Sequence, residues 1–140
     1  MKDRGSLNKV ILVGRLGRDP EIRYLPSGEG ERALARFTLA TTLVYKKGDT
    51  LHEITEWHSI YCWGQLADFA REYLRKGKQI LVEGKLRSRR WEQNGQPRKV
   101  VEIEAEKIIL LGRKEEPAGE EFPPEPPDLG PSEPDDEVPF

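Results

Sequence analysis

Cysteine is nearly missing from this chain: Cys62 is the only one in 140 residues. No intramolecular disulfide can form, and a reducing compartment is expected. A metal site has equally little to draw on. The only histidines are His52 and His58, and His58 and Cys62, read as part of a strand, stand roughly 13 Å apart at about 3.3 Å per residue, too far to share one ion. No metal and no cofactor is expected. No apolar run approaches the length of a membrane span, and the opening MKDRGSLNKV has no signal-peptide core, so a cytosolic protein is expected. Gly-rich phosphate loops, zinc signatures and closely spaced acidic sets of nuclease type are also missing from the body. Ser59 has His58 beside it in sequence, but neighbours in a strand point to opposite faces, so no nucleophile and base pair forms there.

Basic residues are missing from the last 26 positions. All 23 Lys and Arg fall in residues 1–114 with 15 of the 25 acids, a net +8, whereas residues 115–140 hold the other 10 acids and no base, a net −10. A basic body with an acidic tail points to a polyanionic partner for the body, against the plainer reading of a solvated surface with a solubilising tail. Eight of the 11 prolines lie from Pro117 onward among Glu and Asp, a composition that cannot bury enough apolar surface to offset its ordering entropy. The expected organisation is a domain over 1–113, a disordered Pro/Glu-rich linker over 114–134 and a tip over 135–140. In that tip Asp135, Asp136 and Glu137 abut Val138, Pro139 and the terminal Phe140. An acidic group beside a small apolar plug fits a basic-rimmed apolar pocket on another protein.

What the body does contain is alternation. TEWHSIYCW, from Thr55, crowds β-formers without Gly or Pro. Period 2 puts Trp57, Ser59, Tyr61 and Trp63 on one face and Ile54, Glu56, His58, Ile60 and Cys62 on the other. The apolar run Val10–Val13 reads as a strand buried on both faces. The segment Glu21 to Leu25 lies between turn signals at Asp19-Pro20 and Pro26-Ser27-Gly28. A half-buried strand runs from Ala33 to Thr42, with a loop at Tyr45, Lys46, Lys47 and Gly48. Leu66, Phe69, Ala70, Tyr73 and Leu74 follow helical spacing, which predicts a helix over 65–76 with Phe69 and Tyr73 in the core and Gly77 as its cap. Strands then return over Gln79–Trp91, with a bulge at Gly84, and over Arg98–Ala105, joined through Asn94-Gly95, a strong hairpin signal. Five short strands with one helix between the third and fourth is the order of the OB-fold, a small Greek-key barrel.

Lys85, Arg87, Arg89 and Trp91 form a strand face where cations and a ring alternate. A single-strand groove needs both kinds of group: positive charge for phosphates and flat faces for bases. All three Trp residues, Trp57, Trp63 and Trp91, fall opposite the principal apolar set or at a hairpin, which favours a stacking platform over a purely structural core. A nucleic-acid-processing enzyme is the alternative from a different class.

The segments NKVILVGRLGRDPEIRY from Asn8, FTLAT from Phe37, TEWHSI from Thr55, AREYLRKG from Ala70, VEGKLRSRRW from Val82 and the terminal DDEVPF resemble the bacterial single-stranded DNA-binding protein family. The resemblance implies an all-β OB-fold, a homotetramer, sequence-independent wrapping of single-stranded DNA in replication, recombination and repair, and recruitment of protein partners through the tip Asp135–Phe140. By position it assigns base stacking to Trp57, Trp63, Trp91 and Tyr45. Arg36, Lys46, Lys47, Lys85, Arg87 and Arg89 are the expected phosphate contacts. The tip carries Glu137 and Val138 where the common pattern has Asp and Ile. An RNA-binding or primosome-type OB-fold protein is the alternative within the binding class.

Overall fold

The computed structural model describes residues 4–112; the linker and tip expectations lie outside the described residues. Strands β1 (Val10–Leu16), β2 (Glu21–Ser27), β3 (Gly30–Lys47) and β4 (Thr50–Trp63) precede one helix, α1 (Gln65–Tyr73), and strands β5 (Gln79–Gln93) and β6 (Gln96–Leu110) follow it. The sheet order is β1-β5-β6-β4-β3-β2, and β1 also pairs with β3. That last pairing, through Arg15↔Ala40 and Leu16↔Leu39, closes β1, β5, β6, β4 and β3 into a five-stranded barrel. The helix stands between the third and fourth strands of that barrel, so the architecture is the expected OB-fold.

The strand absent from the sequence expectation is β2. It pairs with β3 from Glu21↔Arg36 to Ser27↔Gly30, on the same edge of β3 that β1 takes further along. Its turn signals marked the ends of a strand rather than an irregular segment, because a two-residue connection at Gly28-Glu29 suffices for a hairpin. The loop expected at Tyr45, Lys46, Lys47 and Gly48 is strand as far as Lys47, because the ladder with β4 continues to Lys47↔Thr50 and the chain turns only at Gly48-Asp49. The Asn94-Gly95 hairpin and the Gly84 bulge behave as read. Asn94 (φ 54°) and Gly95 (φ 78°) both occupy the left-handed region, and a register shift falls between Glu83 and Gly84.

The core gathers Leu16, Phe37, Leu39, Ile60, Cys62, Ile80, Val82, Ile103 and Ile108 with Ala67, Ala70 and Leu74 from the helix side. Helical spacing located that inner stripe but overextended it. Tyr73 is about half exposed, tilted against Phe69 at 4.9 Å between ring centroids, because the helix ends at Tyr73 and turns Leu74 inward in an extended conformation. Gly77 (φ 86°) therefore serves the following turn, where its N–H donates to the Leu16 carbonyl, rather than capping the helix.

The β1 expectation also needs correction. Val10 and Leu12 pack on the core, but Ile11 and Val13 are exposed. Within one chain only one face of β1 meets the barrel interior. Leu81, opposite Val13, and Ile109, opposite Leu81, continue the same apolar outer surface. Beyond Arg15 and Leu16, the edge of β1 away from β5 has no strand partner among the described residues.

Candidate nucleic-acid interface

The continuous register of the β3–β4 ladder decides which side chains share a face. Arg36, Thr38 and Ala40 stand opposite Tyr61, Ser59 and Trp57, and Leu34 stands opposite Trp63. Residues directly opposed in an antiparallel pair point the same way. Tyr61 is in turn aligned with Glu104 of β6, which faces Lys85 of β5, and the same ladder carries on to Trp91↔Arg98. Trp57, Trp63, Trp91, Arg36, Lys85, Arg87 and Arg89 therefore occupy one continuous face, the side of the sheet away from the barrel core.

Each ring has a distinct support. A methyl group at Gly17 would overlap the edge of the Trp57 ring and stand 3.0 Å from Thr38 Oγ1, so the glycine leaves the place in which that indole lies. The guanidinium carbon of Arg32 lies 4.4 Å from the Trp63 ring centroid, and that of Arg89 lies 5.0 Å from the Trp91 ring centroid. These are cation–π distances. The Trp91 indole N–H is buried without an acceptor among the described residues. Beside it, Arg90, Trp91, Pro97, Arg98 and Lys99 line an open groove at the tip of the β5–β6 hairpin.

Tyr61 belongs to the same face by alternation but not to its surface. It is fully buried, under the Arg36 guanidinium at 5.4 Å. Desolvation pushes its phenol well above the ordinary value.

Tyr45 is not brought onto this face. Five positions from Ala40 along β3, it pairs with His52 and stacks on that imidazole at 5.3 Å between centroids with a 21° tilt. It projects from the opposite side of the β3–β4 hairpin, past the barrel. Lys46 shares the Trp57 side and Lys47 the Tyr45 side, both exposed. Cys62 and His58 also lie on the core side. The Cys62 thiol is buried and pushed up to about 12 by desolvation. Burial lowers the His58 imidazole against the smaller opposing pull of Glu56, and its Nε2 hydrogen-bonds Thr41 Oγ1 at 2.9 Å. No group of metal-ligating side chains forms among the described residues.

Sequence reasoning did not anticipate what surrounds the arginines. Glu102, only 5% exposed, accepts from Arg36 Nη1 at 2.8 Å and from Arg89 Nε at 3.4 Å. Arg87 Nη1 reaches Glu104 Oε1 at 3.4 Å, and Lys85 Nζ reaches Glu106 Oε2 at 3.3 Å. The alternation Glu102, Glu104 opposite Val101, Ile103 and Ala105 carried the available signal. Reading it required the β5–β6 register as well.

A family model described as the single-strand binding protein family matches residues 7–111. A solved structure described as a Plasmodium falciparum SSB complex with ssDNA superposes with a TM-score of 0.70 at 35% identity, covering 79% of this chain and all of that one. The matched span includes every strand of the barrel, the helix and the aromatic face. With the closed OB barrel, this chain belongs to the single-strand binding protein family.

Proposed function

We propose that this protein binds single-stranded DNA without sequence preference, using the face that carries Trp57, Trp63 and Trp91. The observation that carries the reading is the junction on one surface of three indoles, two of them under arginines, with a basic hairpin tip. Rings take up bases whatever their identity, and the cations supply the field that attracts a phosphate chain. Lys46 stands exposed on the Trp57 side and Lys47 on the other side of the same β3–β4 hairpin, whereas Arg36, Lys85, Arg87 and Arg89 enter the face paired with carboxylates of β6. Tyr45, on the other side of the β3–β4 hairpin, stacks on a strand only where its path rounds that hairpin. The likeness to an SSB solved with ssDNA supports the same ligand.

Titration with oligo(dT), matched RNA and duplex, following Trp fluorescence, tests this. Strong quenching by oligo(dT) alone, weakened by salt, is the expected outcome. A preference for RNA or duplex would overturn it in favour of another OB-fold binder, and cleavage of labelled oligonucleotide with Mg or Mn would return the enzyme alternative.

The family also supports a role in DNA replication, recombination and repair in the cytoplasm, on the nucleoid, with no cofactor. Recruitment of proteins through Asp135–Phe140 belongs to this reading. Deleting residues 135–140 is expected to leave oligo(dT) binding in place while abolishing capture of the protein's partners; capture that survives the deletion would remove the tip from this role. The apolar outer face of β1 and its open strand edge support assembly with further copies of the chain into a homotetramer, since an exposed edge beside an apolar surface is a template for pairing.

A further inference from the structure

Four cations on the aromatic face, Arg36, Lys85, Arg87 and Arg89, were expected to contact phosphates. Each has a carboxylate of β6 within ion-pairing distance: Glu102 for Arg36 and Arg89, Glu104 for Arg87, Glu106 for Lys85. The pairing is repeated along the ladder. Arg87 stands opposite Glu102 and Lys85 opposite Glu104, yet each cation reaches the glutamate diagonal to it, so the two rows interlock.

Glu102 is the most enclosed member. Its side chain is 5% exposed and that of Arg89 is 11%. It draws Arg36 from β3 across β4 and Arg89 from β5, so one carboxylate ties together two strands that do not pair with each other. The same two guanidiniums lie over rings, Arg36 over Tyr61 and Arg89 over Trp91. Lys46 and Lys47 are exposed at the β3–β4 hairpin.

We propose that Glu102 is a positioning residue of the nucleic-acid interface: an internal counter-ion that holds Arg36 and Arg89 flat in the sheet face and keeps both guanidiniums out of phosphate contact. The two arginines then offer planar faces beside Tyr61 and Trp91. The salt-dependent part of binding comes from cations outside the pairings, Lys46 and Lys47 among them. The chemistry follows from counterion release, because only a cation that neutralises a phosphate adds to the salt dependence. Arg36 and Arg89 share one carboxylate, so the trio keeps one positive charge, but guanidiniums held flat over rings by that enclosed carboxylate do not meet the phosphates.

This inference rests on the single-stranded DNA reading. Its test is the slope of log K against log salt concentration for oligo(dT), measured by Trp fluorescence on the full chain. Each phosphate contact to a single strand contributes about 0.7 to that slope. Lys46→Gln with Lys47→Gln is expected to flatten it by about 1.4, two such contacts. Arg89→Gln is expected to leave it unchanged. Glu102→Gln, of nearly the same shape but without charge, frees a guanidinium and steepens it by about 0.7, a change that a merely structural carboxylate would not produce.

Flattening by Arg89→Gln as large as that from a single lysine would overturn the proposal, as would an unchanged slope in a folded Glu102→Gln protein. If thermal melting shows that Glu102→Gln does not fold, the comparison of Arg89→Gln with the lysine variants decides alone. Failure of the wild-type chain to bind oligo(dT) would overturn the DNA reading itself and this inference with it. A flattened Arg89→Gln slope on a binding wild type overturns only the inference.

Discussion

Replacing Trp57 by alanine is expected to weaken oligo(dT) binding by about 1 to 3 kcal/mol, the amount one base–ring stack contributes, and to leave the barrel folded. The expectation follows from where the indole stands. Its partner in the ladder is Ala40, and its ring edge lies against Gly17, on the side of β4 opposite Ile60 and Cys62. Truncation removes part of a surface and opens no hole among the buried aliphatic residues, where the loss of a large side chain costs about 3 to 5 kcal/mol of stability. Fluorescence titration, using the remaining Trp63 and Trp91 signal, and a thermal melt separate the two outcomes. A variant that binds normally would remove Trp57 from the platform, and one that unfolds would return it to the core. Gly17→Ala is the companion: it keeps the indole but pushes it from its resting place, so weaker binding with the ring present would show that its position matters.

Ile11→Glu combined with Val13→Glu is expected to break the proposed tetramer into smaller species. The apolar outer face formed by Ile11, Val13, Leu81 and Ile109 lies beside the part of the β1 edge, before Arg15, that has no strand partner among the described residues. Copies meeting there would bring like charges together in a desolvated contact, which costs far more than the apolar contact it replaces. Light scattering after size exclusion reads the mass. The wild type is expected at about four times the 16.1 kDa chain, in line with the common occurrence of closed symmetric oligomers, and the variant well below it. A wild type at the mass of a single chain would defeat the tetramer proposal, as would an assembly unmoved by the two glutamates. Both substitutions lie on the outer face of β1, so the core contacts of Val10, Leu12 and Leu16 remain.

Local pattern carried most of the barrel. Alternation located the strands holding Trp57, Ile60 and Val82, Asn94-Gly95 placed the last hairpin, and Gly84 marked the bulge. Each of these signals is complete within a few residues. Where a signal depended on what lies alongside, it misled. The run Val10–Val13 looks buried on both faces because sequence cannot say whether the second face meets the same chain or another. Tyr73 keeps the helical period although the helix ends there. Glu21–Ser27 lacks the apolar density of a central strand, yet it pairs along seven residues with β3.

The site divides in the same way. Sequence alone established the aromatic and cationic inventory: three Trp residues, a basic body and an acidic tail, with the Trp residues set at strand spacing. These are properties of single residues and of period 2, which needs no partner strand. Only the tertiary structure decided which of them meet. The closed ladder joins Trp57, Trp63 and Trp91 on one face, while parity along the β3–β4 hairpin sends Tyr45 to the other. The diagonal reach between β5 and β6, with Arg36 crossing β4, seats Arg36 and Arg89 on Glu102. An ion pair depends on distance in space, and residues 36, 89 and 102 become neighbours only when strands far apart in the chain close into a barrel.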